Sequence, residues 1–345
     1  MLGADMKIKI ITIIIAFGLS SVNLLSQTSK VGTTAAAFLE IGPGSVATGM
    51  GGAFVSVAKD ATALYWNPAG IGNFTSNEVT IFHANWIAST SFDYAALVLP
   101  LGGVGNIGFS FTSLSMADEK VTTVDQPEGT GEYYSAGDIA VGLSYARNLT
   151  DRFAIGFTAK YIQETIWHES ASAVAVDVGT IFRTDLLNGL VIGASISNFG
   201  TQEKMNGSDI RTFNRIDPTK LGSNNQVPFD IELDSWDLPF LFQIGVSTNV
   251  IKNDDYRLLV SVDALHPNNN YESMNIGGEF SFRDYLFVRG GYRNLFLTDS
   301  EGGACFGIGV NSKLLFSEDF VRFDYAFRNF GRLNYVHTLS VDIKF

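Results

Sequence analysis

The sequence predicts an all-β protein, a 14-stranded antiparallel transmembrane β-barrel with an N-terminal luminal hatch. Three observations carry this reading. From Glu78 onward apolar and polar residues alternate with period two, the signature of strands with one apolar and one polar face. The alternating segments are long, commonly ten to fourteen residues, whereas strands of soluble proteins centre on about 5–6. Connections after even-numbered segments are short, and the long ones follow odd-numbered segments, as in outer-membrane barrels whose long loops all face outside.

The fourteen segments are roughly 78–88, 91–101, 105–116, 134–149, 152–167, 172–184, 189–200, 238–251, 255–266, 272–283, 285–296, 303–316, 319–329 and 333–345. The last is the clearest: Leu333, Tyr335, His337, Leu339, Val341, Ile343 and Phe345 alternate with polar residues. Short turns are expected at LGGVG, NLTD, DLLNG, KNDD, around Asp284 and at SED, and long loops at 117–133 and 200–237. Alternation alone does not decide which face is inside. Length, even strand number and loop asymmetry together favour apolar faces toward lipid and polar faces toward the lumen.

Composition agrees. Charged residues make up 17% of the 345, aromatic residues 12%, with 27 phenylalanines and 35 glycines. Few charges with many phenylalanines suit a wall that faces lipid. A net charge of −12 gives nucleic acid no phosphate-neutralising surface. One cysteine, Cys305, rules out an intramolecular disulfide and reads as a small strand residue.

Residues 1–26 read as a signal peptide, with Lys7 and Lys9 before an apolar run from Ile10 to Leu19. That run is too short to span a bilayer, which takes about 20 residues. The chain is therefore expected to be exported to the bacterial outer membrane. Residues 27–77 form the hatch segment and 78–345 the barrel. Within the hatch, Thr33 to Glu40 predicts a short helix, and Asp60 an N-cap for a turn over Ala61 to Trp66. Asn67-Pro68-Ala69-Gly70 has the residue choice of a type I turn that redirects the chain toward the first strand.

Ten charged residues fall on the polar faces and are expected to line the lumen: Lys160, Asp177, Arg257, Asp263, Glu279, Arg289, Arg322, Asp324, Asp342 and Lys344. On the lipid face a Lys or Arg would cost about 2–4 kcal/mol at the midplane. Lys160 with Asp177, and Glu279 with Arg289, are placed to pair across adjacent strands.

No chemistry-bearing constellation assembles, so no catalytic residue, cofactor or metal is expected. Gly42 to Ala47 has the spacing of a dinucleotide fingerprint but lacks its strand–turn–helix frame. The four histidines, at 83, 168, 266 and 337, have no ligand spacing. Trp167-His168-Glu169 reads as a membrane-interface strand end. Loops 266–272 and 298–301 are oxygen-rich but lack the ligand order of a calcium loop, and read as solvated turns. Phe345 closes the last strand and resembles the terminal signal read by the bacterial barrel-assembly machinery.

The hatch carries a resemblance. Phe38-Leu-Glu-Ile-Gly42-Pro-Gly44, then Gly49-Met50-Gly51-Gly52-Ala-Phe-Val55, then Asp60-Ala-Thr-Ala-Leu-Tyr-Trp-Asn67-Pro68-Ala69-Gly70, resembles the opening of the PorV/PorQ family, a branch of the FadL-like barrels. The Asn-Pro-Ala element is shared across the FadL-like superfamily, and the longer string is more specific. The resemblance implies fourteen strands and a hatch. It also implies a non-enzymatic role in type IX secretion, in which such barrels bind the translocon and cargo C-terminal signal domains and pass cargo to the surface attachment machinery. Loops 117–133 and 201–237 are then the expected contacts. The alternative is a FadL-like channel for uptake of hydrophobic small molecules, with residues 41–72 as its gate.

Overall fold

Period-two alternation needs a partner for every strand edge, and in a membrane the only solution is a closed ring. The computed structural model describes residues 30–215, 219, 226–297, 300–312 and 321–345, and in it the ring closes. Its strands are β1 (Glu78–Asn85), β2 (Ser91–Pro100), β3 (Asn106–Ser115), β4 (Ala136–Asn148) and β5 (Phe153–Ile166). There follow β6 (Glu169–Arg183), β7 (Val191–Gly200), β8 (Leu241–Lys252), β9 (Tyr256–Pro267) and β10 (Ser273–Phe282). The last four are β11 (Leu286–Leu295), β12 (Ala304–Asn311), β13 (Val321–Asn329) and β14 (Tyr335–Lys344). Each pairs antiparallel with its sequence neighbours, and β1 pairs with β14 from Glu78↔Lys344 to Asn85↔His337, so no wall edge is left open. This is the fourteen-stranded barrel that the alternation predicts.

The faces sort by polarity. Phe109, Leu143, Val176, Val288, Ile308 and Leu339 point outward and are exposed, as an apolar belt in lipid requires. The inward positions carry Thr80, Ser144, Thr158, Ser195, Asn275 and Ser340, all buried.

Several boundaries differ from the sequence reading for local reasons. β1 stops at Asn85 because Ala88 and Ser89 take positive φ (55° and 58°) in the turn to β2. β5 and β6 meet in a two-residue hairpin, Trp167-His168, with Trp167 at φ 51°, so β6 begins three residues earlier than expected. β8 starts at Leu241 because Leu238 turns inward and is buried. The ladder between β6 and β7 shifts register at Asp177, whose Oδ1 accepts the Asn198 N–H at 2.8 Å, with Asn198 at φ 62°. The expected helix over 33–40 is reduced to a 3-10 turn, Ala37–Glu40. Ala36 at φ 48° breaks the helical path, and Thr34 forms a bridge to Asp237 instead. The leader 1–26, the SED turn and Thr298-Asp299 lie outside the described residues.

The two termini of the ring share one end and the long connections the other, which in barrels of this class faces outside. The longest outer connection, between β7 and β8, is tied down near its two ends. Glu203 N–H donates to Trp236 O (2.9 Å) and Trp236 N–H to Glu203 O (2.8 Å). The Glu203 side chain is buried there, and burial, then the nearby Glu164 carboxylate, raises its pKa from 4.5 to about 8. A carboxyl whose pKa is raised by docking stabilises the docked loop fully below its free pKa, and loses that contribution as pH climbs through the docked value. Amide exchange at Glu203 and Trp236, corrected for intrinsic rates, should therefore show protection falling from about pH 5 to about pH 9. Glu203→Gln should flatten the profile, and a pH-independent wild type would contradict the assignment.

Candidate functional site

The lumen is occupied by the hatch, residues 31–77, and its sequence explains the fit. Two short helices, α1 (Ser45–Gly49) and α2 (Ala63–Trp66), and a 3-10 stretch, Pro68–Asn73, are joined by tight glycine-bearing turns. Gly51 takes φ +66°, and a Cβ there would stand 2.7 Å from the Tyr292 nitrogen, so this position demands both the conformation and the missing side chain. Met50 is fully buried, and its backbone rests on Gly277 and Gly291 of the wall, where any Cβ would overlap it. Gly49 approaches Gly307 in the same way, with a 3.0 Å separation for an added Cβ. Gly52 O accepts from Asn275 Nδ2 at 3.3 Å. Gly42 leaves room for the Trp66 ring, whose Nε1–H donates to Pro43 O at 2.9 Å, and Gly44 at φ +95° opens α1.

Asn67 is the hinge between hatch and wall. Its Nδ2 donates to Val55 O (2.9 Å) within the hatch and to Thr180 O (3.0 Å) of β6, while Oδ1 accepts the Ala69 N–H (3.2 Å). The Asn67–Gly70 turn exists as the first turn of the 3-10 stretch, closed by Gly70 N–H to Asn67 O at 2.8 Å. Pro68 sits over wall Gly156 and Asn67 over Gly179; Ala69 is fully buried, and Gly70 passes close to Ala58 O. Asp60 caps the turn over Ala61 to Trp66, its Oδ1 accepting the Thr62 N–H (3.2 Å) and its carbonyl the Ala63 N–H (2.9 Å), although the α-helical part, α2, begins later with Thr62 as its N-cap. The Asp60 carboxylate also pairs with Arg322.

The ten sequence-nominated charges all stand on inward positions, and six of them join in a chain of ion pairs. Lys59 of the hatch meets Glu279 (2.9 Å), Glu279 meets Arg289 (2.8 Å), and Arg289 meets Asp324 (2.6 Å). Asp324 meets Arg322 (2.7 Å), and Arg322 returns to hatch Asp60 (3.0 Å). The chain thus leaves the hatch at residue 59, crosses β10, β11 and β13, and re-enters it at residue 60. Arg257 adds to Glu279 at 3.2 Å, and Asp342 to Arg322 at 2.7 Å while accepting from Thr80. Asp263 instead accepts the backbone N–H groups of Phe54 (2.7 Å) and Val55 (2.9 Å). Lys160 and Asp177 pair at 2.9 Å on the opposite wall, and Lys344 lies 4.0 Å from Glu78 at the rim. Phe345 is exposed beyond β14, its N–H bonded to Asn77 O at 3.1 Å.

Sequence reasoning missed the partners within the hatch, Lys59 and the Phe54 and Val55 amides, and the wall glycines beneath it. Glycines at inward positions of otherwise side-chain-rich strands were the available signal. Little space remains. Between the hatch and β2–β5 lies a cavity of about 20 Å³ beside Leu64, Tyr65, Tyr94 and Lys160, room for one water by the ~10–15 Å³ criterion. At the end holding both ring termini, a polar recess of about 210 Å³ is lined by Lys59, Asp60, Arg257, Arg322 and Asp342 among others. The arrangement is a latch in the geometric sense: it ties the hatch to the wall through residues 59 and 60.

Removing the central cation takes one buried partner from each of two buried carboxylates, leaving Glu279 to Lys59 and Arg257, and Asp324 to Arg322. Arg289→Met should lower stability by about 3–5 kcal/mol, while replacing Glu279, Arg289 and Asp324 together by apolar residues should recover most of the loss. Denaturant titration of the folded, heat-modifiable form measures both; an unaffected Arg289→Met protein would contradict the latch.

Comparison with known proteins follows this geometry. Residues 16–162 match the model of an uncharacterised protein family, UPF0164. A search of curated proteins finds no match. Among solved structures, the CymD monoaromatic hydrocarbon channel is similar at a TM-score of 0.54 and 10% identity, covering 88% of this chain and 98% of its own. The Pseudomonas putida toluene transporter TodX matches with the same figures. A Pseudomonas aeruginosa FadL homologue matches at a TM-score of 0.51 and 11% identity, over 88% and 99%. At such identities the likeness establishes the fold: this chain has the barrel architecture of the FadL-type outer-membrane proteins.

Proposed function

We propose that the protein is a non-enzymatic outer-membrane channel for hydrophobic small molecules, gated by its hatch. The observation that supports this most is the hatch itself: a separate segment that fills the lumen and is held by reversible contacts, ion pairs and backbone hydrogen bonds, inside a barrel whose structural neighbours are hydrocarbon channels. The apolar belt and the wall glycines that seat the hatch fit a barrel whose transport step is displacement of a plug, not bond chemistry.

A second reading, the type IX secretion role of the PorV/PorQ resemblance, is favoured by the outer connections. Tyr133, Phe213, Phe229, Ile231 and Trp236 are exposed there, and exposed aromatic side chains outside the lipid belt suit a protein partner. On that reading the sealed lumen is a scaffold, and the surface binds the translocon or cargo signal domains.

A reversible lock separates the two. Ser45 Oγ of α1 lies 3.0 Å from Thr338 Oγ1 of β14. In a Cys305→Ser background, Ser45→Cys with Thr338→Cys should form a disulfide that fixes the hatch. Oxidation is expected to reduce toluene uptake into proteoliposomes about tenfold or more, with recovery on reduction. Equal uptake in both states contradicts the gated channel. Deleting Thr201–Trp236 should abolish cargo retention on the second reading, and unchanged secretion would refute it.

A further inference from the structure

Three luminal arginines are matched by carboxylates: Arg257, Arg289 and Arg322 each lie within 3.2 Å of one. Two others are not. Arg293 on β11 and Arg328 on β13 point inward at the outer end, and among the described residues no carboxylate lies within ion-pairing distance of either. Each has a buried Nε that makes no hydrogen bond. Arg293 Nη2 reaches only a backbone oxygen, Glu40 O of the hatch, at 3.5 Å. Both side chains are half-buried with Nε shut from water, a costly state for a guanidinium without an anion, and the two cations, one strand apart across β12, also repel each other.

The geometry between them is open. β12 separates the two strands, which places their backbones about 10 Å apart at a strand spacing of about 4.8 Å. The intervening inward positions are Gly303 and Cys305. The three atoms nearest to a Cβ at Gly303 would all belong to Asn329 of the adjacent strand, at 3.3 Å or more. Arg328 stacks its face on Phe330 (3.8 Å to the centroid) and lies over Trp86 (5.8 Å), and those two rings pack edge-on at 5.2 Å. Stacking occupies the guanidinium faces and leaves the in-plane N–H edges as donors, the arrangement that matches an oxyanion.

We propose that Arg293 and Arg328 form an oxyanion site in the outer vestibule, taking the carboxylate or phosphate group of a solute that arrives from outside. The site stands at the outer end of β11 and β13 beside Glu40 of the hatch, on the side away from the polar recess at the ring termini. The aromatic wall of Trp86 and Phe330 would favour an acid carried on an apolar body over a free inorganic ion.

Calorimetric titration of the purified full-length protein in detergent tests this with benzoate and inorganic phosphate as probes. Saturable binding of either probe, weakening with added salt, is expected. Arg293→Gln and Arg328→Gln should each weaken it about tenfold or more, and Gly303→Leu, which fills the gap but keeps both cations, should do the same. Tighter benzoate assigns an organic acid, and tighter phosphate a free inorganic ion. No binding of either probe, or binding unchanged in the folded double Arg293→Gln/Arg328→Gln protein, would overturn the site. The measurement is independent of passage: a protein that binds benzoate yet passes no toluene keeps this site and loses the channel reading.

Discussion

A charge that enters a barrel lumen and is shut off from water must find its counter-charge, and this requirement organises the protein. The chain of pairs from Lys59 through Glu279, Arg289, Asp324 and Arg322 to Asp60 begins and ends on adjacent hatch residues. Glu279, Arg289 and Asp324 are almost wholly buried, and without the hatch above them they would be hydrated. The wall therefore depends on the hatch for its low-dielectric interior, and the hatch depends on the wall for its partners. Neither half of this interlock is complete alone.

Steric fit reinforces the electrostatics. Wall glycines at 156, 277 and 291 sit under hatch backbone, and Gly179 under the Asn67 and Pro68 side chains, where an added side chain would overlap them, so the hatch meets the strands by close contact on one side and through ion pairs on another. Asp263, holding two successive hatch amides, joins these modes. Close packing makes such an interlock two-state, because a partly lifted hatch loses contact and counter-charge together. On the proposed reading, that is what would make the hatch a gate as opposed to a leaky constriction.

Much of this was legible in the sequence because the period-two code is strict. One-residue slips would send Glu279 or Arg289 into lipid, so alternation, loop lengths and inward charges read directly. What was not legible had two physical causes. Strand ends are decided by single positive-φ residues such as Ala88 and Trp167, which have no composition signal. Partners across the lumen are decided by three-dimensional closure, so Lys59 carried no signal and Asp60 read only as a helix cap until Glu279 and Arg322 were placed opposite them. The unmatched arginines 293 and 328 were hidden for the same reason. An absent partner is visible only once all the neighbours are known.

The central claim, that hatch and wall form one interlocked unit, is tested most directly by hydrogen exchange in native outer-membrane vesicles at the amides of Phe54 and Val55. The account predicts protection comparable to the wall amides flanking Asp263, because the same carboxylate and the same buried surroundings hold both. Exchange of Phe54 and Val55 at the rate of free peptide, with the wall still protected, would contradict it.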